Sequence, residues 1–440
     1  MSGYKRGNKF VNNAQKSQLN TIKTVPIEKK NEIKQNSSKE QNSFSNDINK
    51  NKITNSEQYP ITSENKLFID LNCPPTCNIN LYSNFSEIKP VGLINFNFSC
   101  YMNSCLQCFY HCKLFINEIL KEKDNIKKYK NSPIANALID LIEDMNSIGK
   151  NISLKNNNYP ARNFYDTLIK KYPKFKYIYG NDPKAVSSLI LLFMPQELQP
   201  TFSYRIDKKF NKSDEESLFK DIYHNYNKNL YFLADNFYYC VKIKKICKDC
   251  KKKKLFTYSF IYYYMHDFYI SQICNKLKKN NPELHNQNIL TCSLIDCFND
   301  FKEPDDENSV EFMCYNCRKK VTAIRVLYFM ATLPNYLVIC INDEGKLAQN
   351  YKLIIDLEID LEDFFMPPKN YVGSKETKYE FHCGVFIRGD KTHAIAICKH
   401  FDNKYYEFDD KYYKEVNDIQ KKLRNEIPYL MFYKRKDIPV

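Results

Sequence analysis

Gly92-Leu93-Ile94-Asn95-Phe96-Asn97-Phe98-Ser99-Cys100-Tyr101-Met102-Asn103-Ser104-Cys105-Leu106-Gln107 is the stretch on which the reading of this 440-residue chain turns. Beyond Ser99 the character changes. Tyr101, Cys105, Cys108, Phe109, Cys112, Phe115, Ile116, Ile119 and Leu120 recur at three- and four-residue spacings, which is one apolar stripe of an α-helix. The spacing predicts a helix over Cys100–Lys121, capped by Ser99. Cys100 then lies in the first turn, where backbone N–H groups and the helix dipole favour a negative sulfur; its pKa should fall and its nucleophilicity rise. Asn95, in the preceding loop, is placed to donate its amide to an oxyanion formed beside that sulfur. Cys105, Cys108 and Cys112 read as core filler, because a free thiol packs as a small hydrophobe.

A cysteine nucleophile needs a base, and the base needs an orienting acceptor. Among seven histidines, His393 opens the alternating run His393-Ala394-Ile395-Ala396-Ile397-Cys398, a half-buried strand. The next strand ends at Lys404-Tyr405-Tyr406-Glu407-Phe408-Asp409-Asp410. Antiparallel pairing of these two strands brings Asp409 near His393, so that the carboxylate holds one ring nitrogen and the other faces Cys100.

Two Cys-x-x-Cys pairs, Cys247-Lys248-Asp249-Cys250 and Cys314-Tyr315-Asn316-Cys317, each stand between strand-like stretches. Two thiolates on each of two tight turns complete a tetrahedral, structural zinc site of four sulfurs with no open position. A redox role for each pair is the alternative, and it suits turns between strands poorly.

These runs resemble the cysteine and histidine boxes of the ubiquitin-specific proteases, Gly-Leu-x-Asn-x-Gly-Asn-Thr-Cys-Tyr-Met-Asn-Ser-x-Leu-Gln and Gly-His-Tyr-x-Ala-Tyr followed by Trp-Tyr-x-Phe-Asp-Asp. Pro428-Tyr429-Leu430-Met431-Phe432-Tyr433-Lys434-Arg435 is similar to that family's closing strand. The resemblance implies Cys100 as nucleophile, His393 as general base, Asp409 as third member of a triad, Asn95 in the oxyanion role and Asp410 assisting. It also implies a papain-like α+β fold with thumb, palm and fingers, zinc on Cys247, Cys250, Cys314 and Cys317 at the fingertip, and hydrolysis of ubiquitin conjugates. The alternatives are a protease for a ubiquitin-like modifier and a catalytically weak ubiquitin-binding scaffold. Thr392 stands where the family has Gly, and is expected to narrow the channel for a Gly-Gly tail. Asn97-Phe98 replaces Gly-Asn before the nucleophile.

Composition bounds the rest. Residues 1–86 are rich in Asn, Lys, Ser and Gln without a period, too polar to offset ordering entropy, and read as a disordered extension; Cys73-Pro74-Pro75-Thr76-Cys77 reads as linker. Residues 87–440 read as one catalytic unit: about 87–205 thumb, 206–336 fingers and part of the palm, 337–440 palm. Helical patterns come first and strand patterns later, hence α+β. The net charge of +15 raises a zinc-ribbon nucleic-acid binder, but the lysines are scattered, and only Lys251 to Lys254 form a dense run. The 17 cysteines are unevenly spaced, and neither an apolar leader nor a membrane-length apolar run stands out. The expectation is a monomer in the cytoplasm or nucleus, with reduced or metal-bound thiols.

Overall fold

The computed structural model describes residues 85–95, 98–128, 131–150, 158–159, 161–173, 182–198, 231–281, 283, 288–302, 311–342, 350–367, 374–388 and 392–438. Nearly all of the expected extension, with Cys73 and Cys77, lies outside these residues. So does the stretch 199–230 that the sequence assigned to the thumb–fingers boundary.

Helix α1 (Cys100–His111) starts where the periodicity says and stops ten residues early, with α2 (Lys113–Lys121) taking over. At Cys112 the backbone turns to φ −75°, ψ 78°, and its N–H bonds to Phe109 O instead of Cys108 O. The carbonyls this frees find partners from elsewhere in the fold: Cys108 O accepts from the thiols of Cys112 (3.3 Å) and Cys383 (3.5 Å). His111 O pairs with His382 Nε2 at 2.8 Å. These donors satisfy the helix end that a continuous helix would have satisfied itself. A second correction concerns amphipathicity, since all 12 residues of α1 are buried. A helix buried all round belongs in the middle of a core.

Against α1 pack α5 (Pro183–Ser188) and, through Tyr110 Oη to Asn146 Oδ1, α3 (Pro133–Lys150), on which α4 (Arg162–Lys171) rests in turn. Asp182 caps α5 by accepting from Lys184 N, with Pro183 in the first position. The chain then runs through a wider π turn, Leu189–Phe193.

The other half is strand. After β1 (Gly92–Leu93) come β2 (Tyr239–Cys247), β3 (Lys253–Phe260), β4 (Tyr262–His266), β5 (Glu311–Cys314), β6 (Lys319–Met330), β7 (Tyr336–Asn342), β8 (Lys378–Arg388), β9 (His393–Lys399), β10 (Tyr405–Asp409), β11 (Tyr412–Glu415) and β12 (Ile427–Arg435). The main sheet runs β11-β10-β9-β8-β12-β7-β4, with Glu358–Asp360 also on β8. Its pairs are antiparallel except β4 with β7. Period-two alternation sends the two faces to different cores. Ala394, Ala396 and Cys398 of β9 face the α1 side, and Ile395 and Ile397 face the other. The small residues on the α1 side let the helix lie close to β9. A second, four-stranded sheet, β3-β2-β6-β5, forms a separate ribbon. Helices dominate the first part and strands the later part, with the helices Asp267–Asn280 and Leu294–Lys302 set among the strands, an α+β arrangement. No helix among the described residues is long and apolar enough to cross a membrane.

Candidate functional site

The N-terminus of α1 is tied to the β10–β11 turn from both sides. Leu93 N donates to Asp410 O at 2.8 Å. A Cβ on Gly92 would meet Lys411 O at 2.4 Å, so only glycine lets the two backbones approach this closely. Asn103, one turn into α1, reaches Leu93 O, Ile94 O and Asp410 Oδ1 with its side-chain amide, and Gln107 Nε2 donates to Val91 O at 2.7 Å. These two amides sit three and seven residues from Cys100 on a helix buried all round, which is the signal that could have marked them as anchors of the cleft.

His393 Nε2 meets Asp409 Oδ1 at 2.7 Å. The backbone N–H of Ala394, the next residue, acts on the Cys100 thiol and draws its pKa down. Strand β9 therefore packs its start against α1, and the His393 ring nitrogen not engaged by Asp409 is Nδ1. The nitrogens and carboxylates of His393, Asp409 and Asp410 all lie within 4.8 Å of one another.

Cys100 departs from expectation in one respect. It is 3% exposed, and burial pushes its thiol above the ordinary value, with the Asp410 charge adding to the rise. The N–H bonds from Ala394, Tyr101 and Cys100 itself pull the other way and are outweighed. Desolvation outweighs the helix terminus here, opposite to the fall the helix position suggests. Ser99 is also not the side-chain cap expected: no cap bond forms through its hydroxyl. Instead its N–H and Oγ point to Asn95 Oδ1, at 2.9 and 3.4 Å. That fixes Asn95, whose Nδ2 gives one hydrogen to Asp410 Oδ2 at 2.8 Å. Among the described residues, the second amide hydrogen of Asn95 has no hydrogen-bond acceptor. Burial raises the Asp410 carboxyl, opposed by the Asn103 and Asn95 bonds.

Arg388 was missed by the sequence reading. It is the cross-strand partner of His393, and it lies 3.7 Å from Asp409 Oδ2 and 2.8 Å from both Glu407 and Glu426. Burial would raise Glu407, but Lys422, Arg388 and Lys414 outweigh it and the carboxyl is pushed down to about 2. This ion network braces the strand that carries Asp409. Its signal was available in the alternation of β10, where an inward Glu demands cationic partners.

At the far end of the ribbon, Cys247, Cys250, Cys314 and Cys317 gather with all sulfurs within 4.8 Å of one another. The Cys247–Cys317 and Cys250–Cys314 separations are 3.8 and 3.7 Å. A tetrahedron with metal–sulfur bonds of about 2.3 Å has edges of about 3.8 Å, so the donor set fits zinc. Each knuckle is followed by a residue of positive φ, Lys251 (57°) and Arg318 (53°). Cys247 N to Lys252 O and Lys251 N to Cys247 O, both 3.0 Å, close the first turn.

The residues expected at the two sites thus fall into two separate clusters, one at the α1 terminus and one at the ribbon tip. The chain matches the family model described as ubiquitin carboxyl-terminal hydrolase over residues 91–433. No curated protein matches it in sequence. Among solved structures, it is similar to the SAGA Ubp8/Sgf11/Sus1/Sgf73 DUB module bound to ubiquitin aldehyde, at 16% identity and TM-score 0.56 over 81% of this chain and 72% of that chain. The same module bound to monoubiquitin gives 15% and 0.55 over 83% and 73%. A yeast SAGA module with altered Sgf73 gives 16% and 0.52 over 82% and 72%. Those likenesses are of fold; the family match covers most of the sequence, and on it the chain belongs to the ubiquitin carboxyl-terminal hydrolases, cysteine-type deubiquitinating enzymes.

Proposed function

We propose that Cys100 is the nucleophile of this deubiquitinase, His393 its general base and Asp409 the carboxylate that orients the base. The observation that carries the reading is the 2.7 Å bond from His393 Nε2 to Asp409, which leaves Nδ1 for the thiol. The buried thiol gives its proton to Nδ1 as the sulfur attacks the carbonyl of the C-terminal glycine of ubiquitin. The oxyanion takes the spare amide hydrogen of Asn95 and the backbone N–H groups at the start of α1. The imidazolium then protonates the departing lysine amine, and water, deprotonated by the same ring, releases ubiquitin from the acyl-enzyme. Asp410 acts through Asn95, holding its amide in place rather than touching the substrate.

The four fingertip cysteines would hold a Zn²⁺ ion, which supplies cross-linking of the ribbon and, being fully ligated by sulfur, no catalytic water. The reading takes the enzyme as a monomer. Substrates are ubiquitin conjugates, and reduced thiols suit the cytoplasm or nucleus. The test is ubiquitin bearing a thiol-reactive C-terminal warhead. A covalent adduct with the wild-type chain that vanishes in Cys100→Ala supports the assignment. Folded, zinc-loaded protein that forms no adduct with ubiquitin, yet reacts with a ubiquitin-like modifier's warhead, overturns the substrate.

A further inference from the structure

Behind the catalytic helix lies a third gathering of thiols that the reaction does not use. Cys108 of α1, Cys383 of β8 and Cys398 of β9 have their sulfurs within 4.8 Å of one another, and each residue is 0% exposed. Cys383 and Cys398 are directly opposed across the β8–β9 ladder. Cys108 closes the triangle from above, and Cys383 donates to the Cys108 carbonyl exposed by the helix break. Phe109, Phe432, Val385 and Ala396 belong to the same apolar core.

The chemistry of this triangle differs from that of the fingertip. Burial holds all three thiols well above their ordinary pKa, and the other groups that act most on them are neighbouring thiols. A dication on three thiolates would leave one net negative charge in a dry core, where an uncompensated ion is strongly disfavoured. Oxidation to a Cys383–Cys398 disulfide needs a thiolate to attack peroxide, and neutral buried thiols are poor nucleophiles. A ligand that condenses with three thiols and leaves no charge avoids the first objection and suits three neutral thiols as its starting point.

We propose that Cys108, Cys383 and Cys398 form a binding site for trivalent arsenic or antimony hydroxides, taken up as a neutral trithiolate complex. For arsenous acid the step is As(OH)₃ + 3 RSH → As(SR)₃ + 3 H₂O. Three As–O bonds and three S–H bonds break, three As–S bonds form, each hydroxide leaves as water with a thiol proton, and no atom changes oxidation state. The product ties α1, which carries Cys100, to β9, which carries His393. Binding is therefore expected to inhibit ubiquitin cleavage as well. The site is independent of the catalytic assignment, and its readout is mass rather than activity.

The experiment uses the full chain, zinc-loaded and carrying Cys100→Ala to remove the reactive nucleophile, incubated with sodium arsenite to equilibrium. Intact-protein mass spectrometry should show one arsenic gained with three hydrogens lost, and X-ray absorption should show three sulfurs around it. Cys383→Ala and Cys398→Ala, each checked for an unchanged far-UV spectrum, should lose that adduct. Arsenic retained in both variants, or its absence from folded protein with Cys108, Cys383 and Cys398 intact, would overturn the proposal. The parent measurement decides alone if a variant fails to fold.

Discussion

The ribbon tip and helix α1 both concentrate cysteines, and the two places ask opposite things of the same side chain. At the tip, Lys248, Lys251, Lys252, Lys253, Arg318, Lys319 and Lys320 are exposed around the four thiols, and the coupled thiols split: the N–H of Lys252 draws Cys250 down, while the neighbouring thiols push Cys317 up. In α1, burial leads and pushes Cys100, Cys105 and Cys108 up. An exposed cluster with a backbone N–H beside it lets one thiol ionise at the expense of its neighbour; a dry core keeps every thiol neutral. The difference teaches that cysteine count and spacing say little about chemistry until solvation is known. The cations at the tip can offset the negative charge of four thiolates, whereas a thiol buried in α1 needs a base beside it to ionise.

The largest test of this contrast is to remove one thiol from each region. Cys250→Ser should take bound zinc from one per chain to none and lower stability by about 3 kcal/mol or more, since structural zinc contributes directly to folding. Cys398→Ala removes only a buried sulfur and should lower stability by about 1 kcal/mol. Metal analysis and urea unfolding measure both. Equal losses would mean that the tip folds without metal and that the two regions are alike.

A smaller effect sharpens the comparison within α1. Because the Cys100 thiol sits above its ordinary pKa, its thiolate fraction grows as pH rises, about tenfold per unit below that pKa. Iodoacetamide labelling of Cys100, read by peptide mass spectrometry, should therefore climb between pH 7 and 9. Cys105, fully buried and raised further, should stay unlabelled throughout. A flat Cys100 profile would mean that His393 already holds the proton as a standing thiolate–imidazolium pair, and that burial does not govern this thiol.

The start of α1, both knuckles and the pairing of His393 with Asp409 were legible, because each rests on local spacing or on two strands close in sequence. What was hidden came from far away along the chain. The break at Cys112 depends on Cys383 and His382 supplying donors to carbonyls of α1, which helical periodicity cannot register. The raised Cys100 thiol depends on how deeply β9 and the α1 start enclose it, and a motif does not encode depth. Asn95 was read as an oxyanion donor without its tether, since Asp410 reaches it across 315 positions. Arg388 went unnoticed because its three carboxylates come from two other strand ends.

The smallest effect concerns backbone strain beside the two kinds of thiol. Phe98, two residues before Cys100, has φ 61°, close to the values at Lys251 and Arg318 after the knuckles. For a non-glycine residue this left-handed region costs about 1–2 kcal/mol. A bulky aromatic is an unusual choice for it. Phe98 is 80% exposed, so it recovers little by packing. Phe98→Gly removes the strain and adds about 0.4–1 kcal/mol of unfolded-chain entropy. The net expectation is a gain of about 0.5 kcal/mol in urea unfolding, with Lys251→Gly giving a similar gain in zinc-loaded protein. A gain at Lys251 with a loss at Phe98 would mean that the Phe98 ring has its own role beside Cys100. The comparison of KM with kcat in Phe98→Gly then locates that role, because an aromatic that contacts the ubiquitin tail raises KM alone when removed.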